Sequence, residues 1–149
     1  MDPWIATRAP YRITTAPARI DLDVVHGFLS TSYWSPGVPR EVLARAIAHS
    51  MSFSLFHDDA QVGFARVVSD RATFAWIADV FVLDPHRGQG LARWLVQTAL
   101  DHPELAGLRR WMLGTRDAHG VYAPLGFQPV TEGRFMEIRR PSPYGIQTG

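Results

Sequence analysis

The stretch Val80-Phe81-Val82-Leu83-Asp84-Pro85-His86-Arg87-Gly88-Gln89-Gly90-Leu91-Ala92 decides how this chain is read. An apolar strand runs to Leu83, Asp84-Pro85 turns the chain, and Gly88 and Gly90 open a helix. Leu91, Trp94, Leu95 and Thr98 then recur at helical spacing, which predicts a helix over 90–100. The first N–H groups of a helix lack intrahelical partners and sit at the positive end of its dipole. Glycine lets an anion such as a pyrophosphate approach that backbone closely. Arg87 and Arg93 flank the turn and add positive charge. A dinucleotide fingerprint does not fit, because its third small residue falls on Arg93 and the acid expected ~20 residues on is replaced by Arg109 and Arg110. A Walker loop needs a lysine, and all 15 basic residues of the chain are arginine. On these residues alone, a plain strand-to-helix turn with convenient glycines stays open.

Outward from this turn the pattern alternates between strand and helix. Upstream, Tyr11–Thr15 reads as a short strand. Residues 21–32 read as a helix with Leu22, Val25, Phe28 and Leu29 on one face. Ser35-Pro36-Gly37-Val38-Pro39 is a turn cluster, and Pro39 starts a second helix over 40–49. Strands follow at 52–57, 61–69 and 73–83. The last is so apolar that burial on both faces is expected. Downstream come a strand at 109–113, a short helix at 117–124 with Asp117 as its N-cap, and final strands at 127–130 and 134–138. The order β-α-α-β-β-β-α-β-α-β-β predicts an α/β fold with a mixed central sheet of six to seven strands and helices on both faces.

Composition bounds the function. A chain of 149 residues, 46% hydrophobic and 19% charged, fits one domain over 1–149 with a core at about 11–140. The formal net charge of +1 does not suggest a nucleic-acid partner. No apolar run approaches the ~20 residues of a membrane span. The start, MDPWIATRAP, lacks the apolar region of a signal peptide, and cysteine is absent. A cytoplasmic protein without disulfides is expected. The absence of lysine also removes Schiff-base chemistry. No pair of the six histidines has metal-ligand spacing, so no metal is expected. The tail from Pro141 looks solvated by composition, but Tyr144 and Ile146 could pack against the domain or a second copy, giving a homodimer.

Arg87-Gly88-Gln89-Gly90-Leu91-Ala92 resembles the (Gln/Arg)-x-x-Gly-x-(Gly/Ala) signature of the GNAT superfamily of N-acetyltransferases. Val80-Phe81-Val82 looks like that family's splayed fourth strand, and Tyr122-Ala123-Pro124-Leu125-Gly126-Phe127 looks like its Tyr-x-x-x-Gly-Phe ending. The likeness runs from Tyr11 to about Ile138. It implies acetyl-coenzyme A as co-substrate and an amine as acceptor. Main-chain groups of Val80, Phe81 and Val82 would pair with the pantetheine arm. The N–H groups of Gly88, Gln89, Gly90, Leu91 and Ala92 would hold the pyrophosphate. Tyr122 would protonate the departing thiolate. Many relatives carry Asn seven residues before that tyrosine; here it is Thr115, whose hydroxyl could replace part of that contact with the cofactor arm.

The general base is less defined. Asp79 is the one acid in the run 73–83, next to the residues expected to hold the reactive arm. It could deprotonate the amine, bind it as ammonium, or hold a loop by hydrogen bonding. Some relatives have Glu one residue earlier, where this chain has Ala78. Strand alternation sets Asp79 on the face of Phe81. Tyr33 and Trp34, between the first two helices, are aromatic candidates for the acceptor site, with loop-to-core packing as the plainer reading. His119 is close to Tyr122 in sequence but reads as a polar helix face, and Arg66 and Asp70 read as solvated strand ends. The acceptor is expected to be a small-molecule amine. A protein lysine or N-terminus, and a non-catalytic acyl-CoA sensor, are the rival functions.

Overall fold

A computed structural model of the chain describes residues 4–144. Its elements are β1 (Trp4–Arg8), β2 (Tyr11–Thr14), α1 (Leu22–Leu29), α2 (Arg40–Ala48), β3 (Met51–His57), β4 (Ala60–Ser69), β5 (Phe74–Val82), α3 (Leu91–Leu100), β6 (Arg110–Leu113) and α4 (His119–Tyr122). The strands form one mixed sheet in the order β1-β2-β3-β4-β5-β6. All neighbours are antiparallel except β5 and β6, which α3 joins in parallel.

The amphipathic helices cover opposite faces of that sheet. Leu91, Leu95 and Ala99 of α3 pack with Ile13, Phe53, Leu55, Ala65, Val67 and Ala75. On the other face Val25 and Leu29 of α1 and Leu43 of α2 pack with Phe64 and Phe81. Asp21 caps α1 by accepting from the Val24 N–H at 3.3 Å. Among the described residues no helix is long and apolar enough to cross a membrane.

Several expectations are corrected. β1, a strand between prolines at positions 3 and 10, has no counterpart in the sequence reading; it exists by pairing with β2. At the other end, residues 127–130 and 134–138 form no strand, so the six strands are not the set expected. β5 is not buried on both faces throughout: Phe74 and Trp76 are exposed, and full burial begins only deeper in the strand. Asp117 caps nothing. The N-cap position of α4 is Ala118, whose N–H donates to the Thr115 hydroxyl at 3.0 Å. Tyr144 packs against the α1–α2 cluster, while Ile146 lies outside the described residues.

Candidate active site

The site begins where β5 and β6 part. Their pairing runs from Phe74–Arg110 to Ile77–Leu113 and stops, because β6 ends there while β5 continues to Val82. On that side the second half of β5 has no partner strand among the described residues. A bulge in the same half re-aims one side chain. Phe81 pairs with Phe64 and Ala78 with Arg66, so Asp79 and Val80 together face Ala65. Asp79 adopts φ 57°, outside the strand region. Unbroken alternation from Ala75, which faces α3, would put Asp79 under that helix. The extra residue turns it to the face of Phe81 and α1.

There each oxygen of its carboxylate accepts a hydrogen bond. Trp34 Nε1 donates to Oδ1 at 2.9 Å and Arg66 Nε donates to Oδ2 at 2.8 Å. The side chains of Arg66 and Asp79 are 17% and 7% exposed. Arg66 is therefore not solvated, as its place near a strand end suggests; it also donates from Nη1 to Ser50 Oγ at 3.0 Å. Asp70 is solvated as expected. It holds the β4–β5 turn, and its bonds from the Thr73 hydroxyl and nearby main-chain N–H groups keep its carboxyl well below the usual range.

A chain of aromatic contacts leads from Asp79 toward Tyr122. The Trp34 ring lies 6.2 Å from Phe28, which stacks on Phe81 at 4.2 Å. Tyr33 meets Trp34 edge-on at 5.1 Å. The guanidinium of Arg116 sits 3.9 Å over the Tyr33 ring, and the Arg116 N–H donates to the Tyr33 hydroxyl at 3.3 Å. The loop between α1 and α2 is thus tied to the loop after β6, across the gap between β5 and β6. Tyr33 and Trp34 still keep 42% and 40% of their surfaces exposed. Tyr122 is half-buried in α4, with Phe127 at 6.0 Å edge-on. Burial, and secondarily the Tyr33 phenol, push its pKa above the ordinary tyrosine value. His119, in the same helix, is exposed.

The loop between β5 and α3 borders a cleft of about 230 Å³ lined by Val82, His86, Arg87, Gly88, Gly90, Leu91, Ala92, Arg93 and Val121. Gly88 and Gly90 have φ 81° and 74°, left-handed values that glycine adopts without strain. A Cβ at either would meet nothing within 4 Å, so both backbones face open space. Among the described residues no side chain caps the start of α3, so its first N–H groups lack a side-chain partner. A pyrophosphate fits that opening in size and charge. Arg87 is already engaged: its Nε donates to the Val82 carbonyl at 2.9 Å and its Nη1 pairs with Asp84 at 2.6 Å. Arg93 makes no ion pair among the described residues.

The structure gathers the expected phosphate-loop residues around one cleft, with α4 alongside through Val121, and links Tyr33, Trp34 and Asp79 into one network. It adds Arg66, which the sequence reading left solvated, and Arg116, His86 and Tyr11, to which that reading gave no role in the site. Arg66 shares a face with the bulged Asp79 only through the β4–β5 register, and Tyr11 lies 75 residues from His86, to which it hydrogen-bonds.

The sequence pattern of the Acetyltransferase (GNAT) family matches residues 22–127, and the chain belongs to that family. It is an acyltransferase enzyme, and its family uses acetyl-coenzyme A. It is 31% identical to a protein of Gibberella zeae named as an acetyltransferase, over 85% of this chain and 84% of that one. A crystal structure of a GNAT-family protein from Xanthomonas campestris pv. campestris is 43% identical, covers 91% of this chain and 97% of its own, and superposes with a TM-score of 0.87. AAC(6')-Iy, solved with the bisubstrate analogue CoA-S-monomethyl-acetylneamine, shares the fold at 21% identity and a TM-score of 0.65, over 87% of this chain and 99% of its own.

Proposed function

We propose that the protein transfers an acetyl group from acetyl-coenzyme A to the primary amine of a small molecule. The observation that carries this reading is the continuity of the unpartnered half of β5 with the uncapped start of α3, bordered by the helix that holds Tyr122. Bound there, acetyl-coenzyme A supplies an activated thioester. Main-chain groups of Val80 and the Val82 N–H, on the open side of β5, pair with its arm; Phe81 pairs with Phe64 of β4, and the Val82 carbonyl is taken by Arg87. The N–H groups of Gly88 to Ala92 hold the pyrophosphate, Arg93 adds charge, and Thr115 flanks the arm. The amine nitrogen attacks the carbonyl carbon, the C–N bond forms and the C–S bond breaks. Tyr122 gives its phenolic proton to the leaving sulfur. The proton lost by the amine goes to water, and solvent returns one to the Tyr122 oxygen.

Asp79 is assigned a positioning role. Both its oxygens already accept hydrogen bonds, and its charge is matched by Arg66. It holds Trp34, which with Tyr33 offers the ring faces for the acceptor's apolar body. A cytoplasmic enzyme that self-associates through its C-terminal segment completes the reading. Release of free thiol across a panel of small amines and lysine peptides tests it. Turnover with small amines is expected; turnover only with peptides would make the acceptor a protein. Tight coenzyme binding without thiol release from either would make the chain a sensor.

A further inference from the structure

His86 precedes the glycine turn and lines the phosphate cleft, yet the pyrophosphate reading gives it no part. Its surroundings fix where its proton sits. Gln89 Nε2 lies 3.2 Å from the His86 carbonyl oxygen, so that end of the amide must be the NH₂. The same nitrogen lies 3.2 Å from the Tyr11 hydroxyl, which therefore accepts a hydrogen from Gln89. Tyr11 has one hydrogen of its own, and the His86 Nδ1 is 2.8 Å away to receive it. A ring nitrogen that accepts carries no hydrogen, so neutral His86 bears its proton on Nε2. Among the described residues nothing accepts from Nε2. We infer that His86 offers this Nε2–H to a phosphate of the coenzyme, and that Tyr11 and Gln89 are positioning residues that set its tautomer. The inference rests on the reading that Gly88–Ala92 bind coenzyme A.

The other titratable groups around the ring do not compete for that proton. From β2 comes Tyr11 itself. From β3 comes His57, with its ring centre 5.1 Å away and Asp58 3.7 Å behind it. In the loop, Asp84 and Arg87 pair with each other. Tyr11 is buried at 7% exposure, while His86 is half-buried and lines the cleft.

The test is made at pH 8, where an ordinary histidine is neutral. Long-range ¹H–¹⁵N spectra should show His86 as the Nε2–H tautomer, with that signal moving when coenzyme A is added. Calorimetry should show His86→Ala binding coenzyme A about three- to tenfold more weakly, the worth of one hydrogen bond. His86→Gln, which places an N–H near the Nε2 position, should recover most of the loss. Tyr11→Phe should mix the tautomers and weaken binding by a smaller factor. An Nδ1–H tautomer, an unmoved ring signal while the Gly88–Ala92 amides shift, or wild-type affinity in His86→Ala overturns the inference and leaves the coenzyme site intact. No heat and no amide shift in the wild-type protein overturns both.

Discussion

A phenol half withdrawn from water, as Tyr122 is, resists ionisation, because the charged form loses more solvation than the neutral one. For a proton donor this has two sides: the proton is present at any physiological pH, but the acid is weaker and gives it up only as charge builds on sulfur. The pH dependence follows with a definite sign. A group whose folded pKa is raised stabilises the fold fully below its unfolded pKa of about 10, and that contribution fades as pH climbs through the raised value. The alkaline limb of kcat from this group should therefore lie above pH 10 and vanish in Tyr122→Phe, together with a fall in kcat of about 10² to 10⁴ at unchanged coenzyme affinity. A Tyr122→Phe enzyme with full kcat on a verified amine would reduce the residue to a partner of Phe127. Gly90 supports a second prediction. Its left-handed φ strains any side chain there, and a branched one would stand in the open space proposed for the phosphates. Gly90→Val should weaken acetyl-coenzyme A at least tenfold by calorimetry, with a modest loss of melting temperature as the mark of the strain. Both residues could be singled out in the sequence because their motifs are short and local. Arg66 was not: its partner, Asp79, is 13 residues away, and only the strand register brings them together.

Among the elements, β5 shows how a strand can be recognised while its detail stays hidden. Its apolar run made the strand plain, and the turn after it gave the phosphate loop. The bulge left no mark in composition, because an aspartate inside an apolar run fits a base, an ammonium site or a structural partner equally well. The bulge aims that carboxylate at Trp34 and Arg66, which supports the structural partner. Asp79→Asn separates the readings. It keeps an oxygen for Trp34 Nε1 and removes the charge opposite Arg66. As an anchor, Asp79 predicts a stability loss of about 1–3 kcal/mol in urea unfolding and a raised KM for the amine, with the shape of the kcat/KM pH profile preserved. If the mutant instead lost most of its rate near neutrality and regained it at high pH, Asp79 would be the base. The long-range ties between the α1–α2 loop and the loop after β6, through Tyr33 and Arg116, were equally hidden; both belong to segments whose sequences read as turns.

For the molecule as a whole, the unexpected region is the C-terminal stretch. Its alternating apolar residues predict strands, yet residues 128–143 are exposed and in no strand, with Met136 98% and Ile138 84% exposed. The last strand of the sheet, β6, has an open outer edge among the described residues. The chain's own segment is held away from pairing along it, with Phe135 under the Arg110 guanidinium at 5.1 Å, at the beginning of β6, and Tyr144 packed on the opposite cluster at α1. Sequence pattern alone could not foresee this, because whether such a segment pairs depends on where its two ends are tethered. An open edge beside exposed apolar side chains is a surface that two copies can share. Sedimentation should therefore give a mass that rises above 16.7 kDa with concentration. Replacing Met136 and Ile138 together by Glu should return it to the single-chain value and leave the melting temperature unchanged, since side chains so exposed contribute little to the fold of one copy. Ending the chain after Arg140 acts on a different contact: it removes Tyr144 from the α1–α2 cluster and should lower the melting temperature by about 2–4 °C for each kcal/mol lost. A single-chain mass at every concentration, or an association that survives the double replacement, would show that this segment does not join two copies.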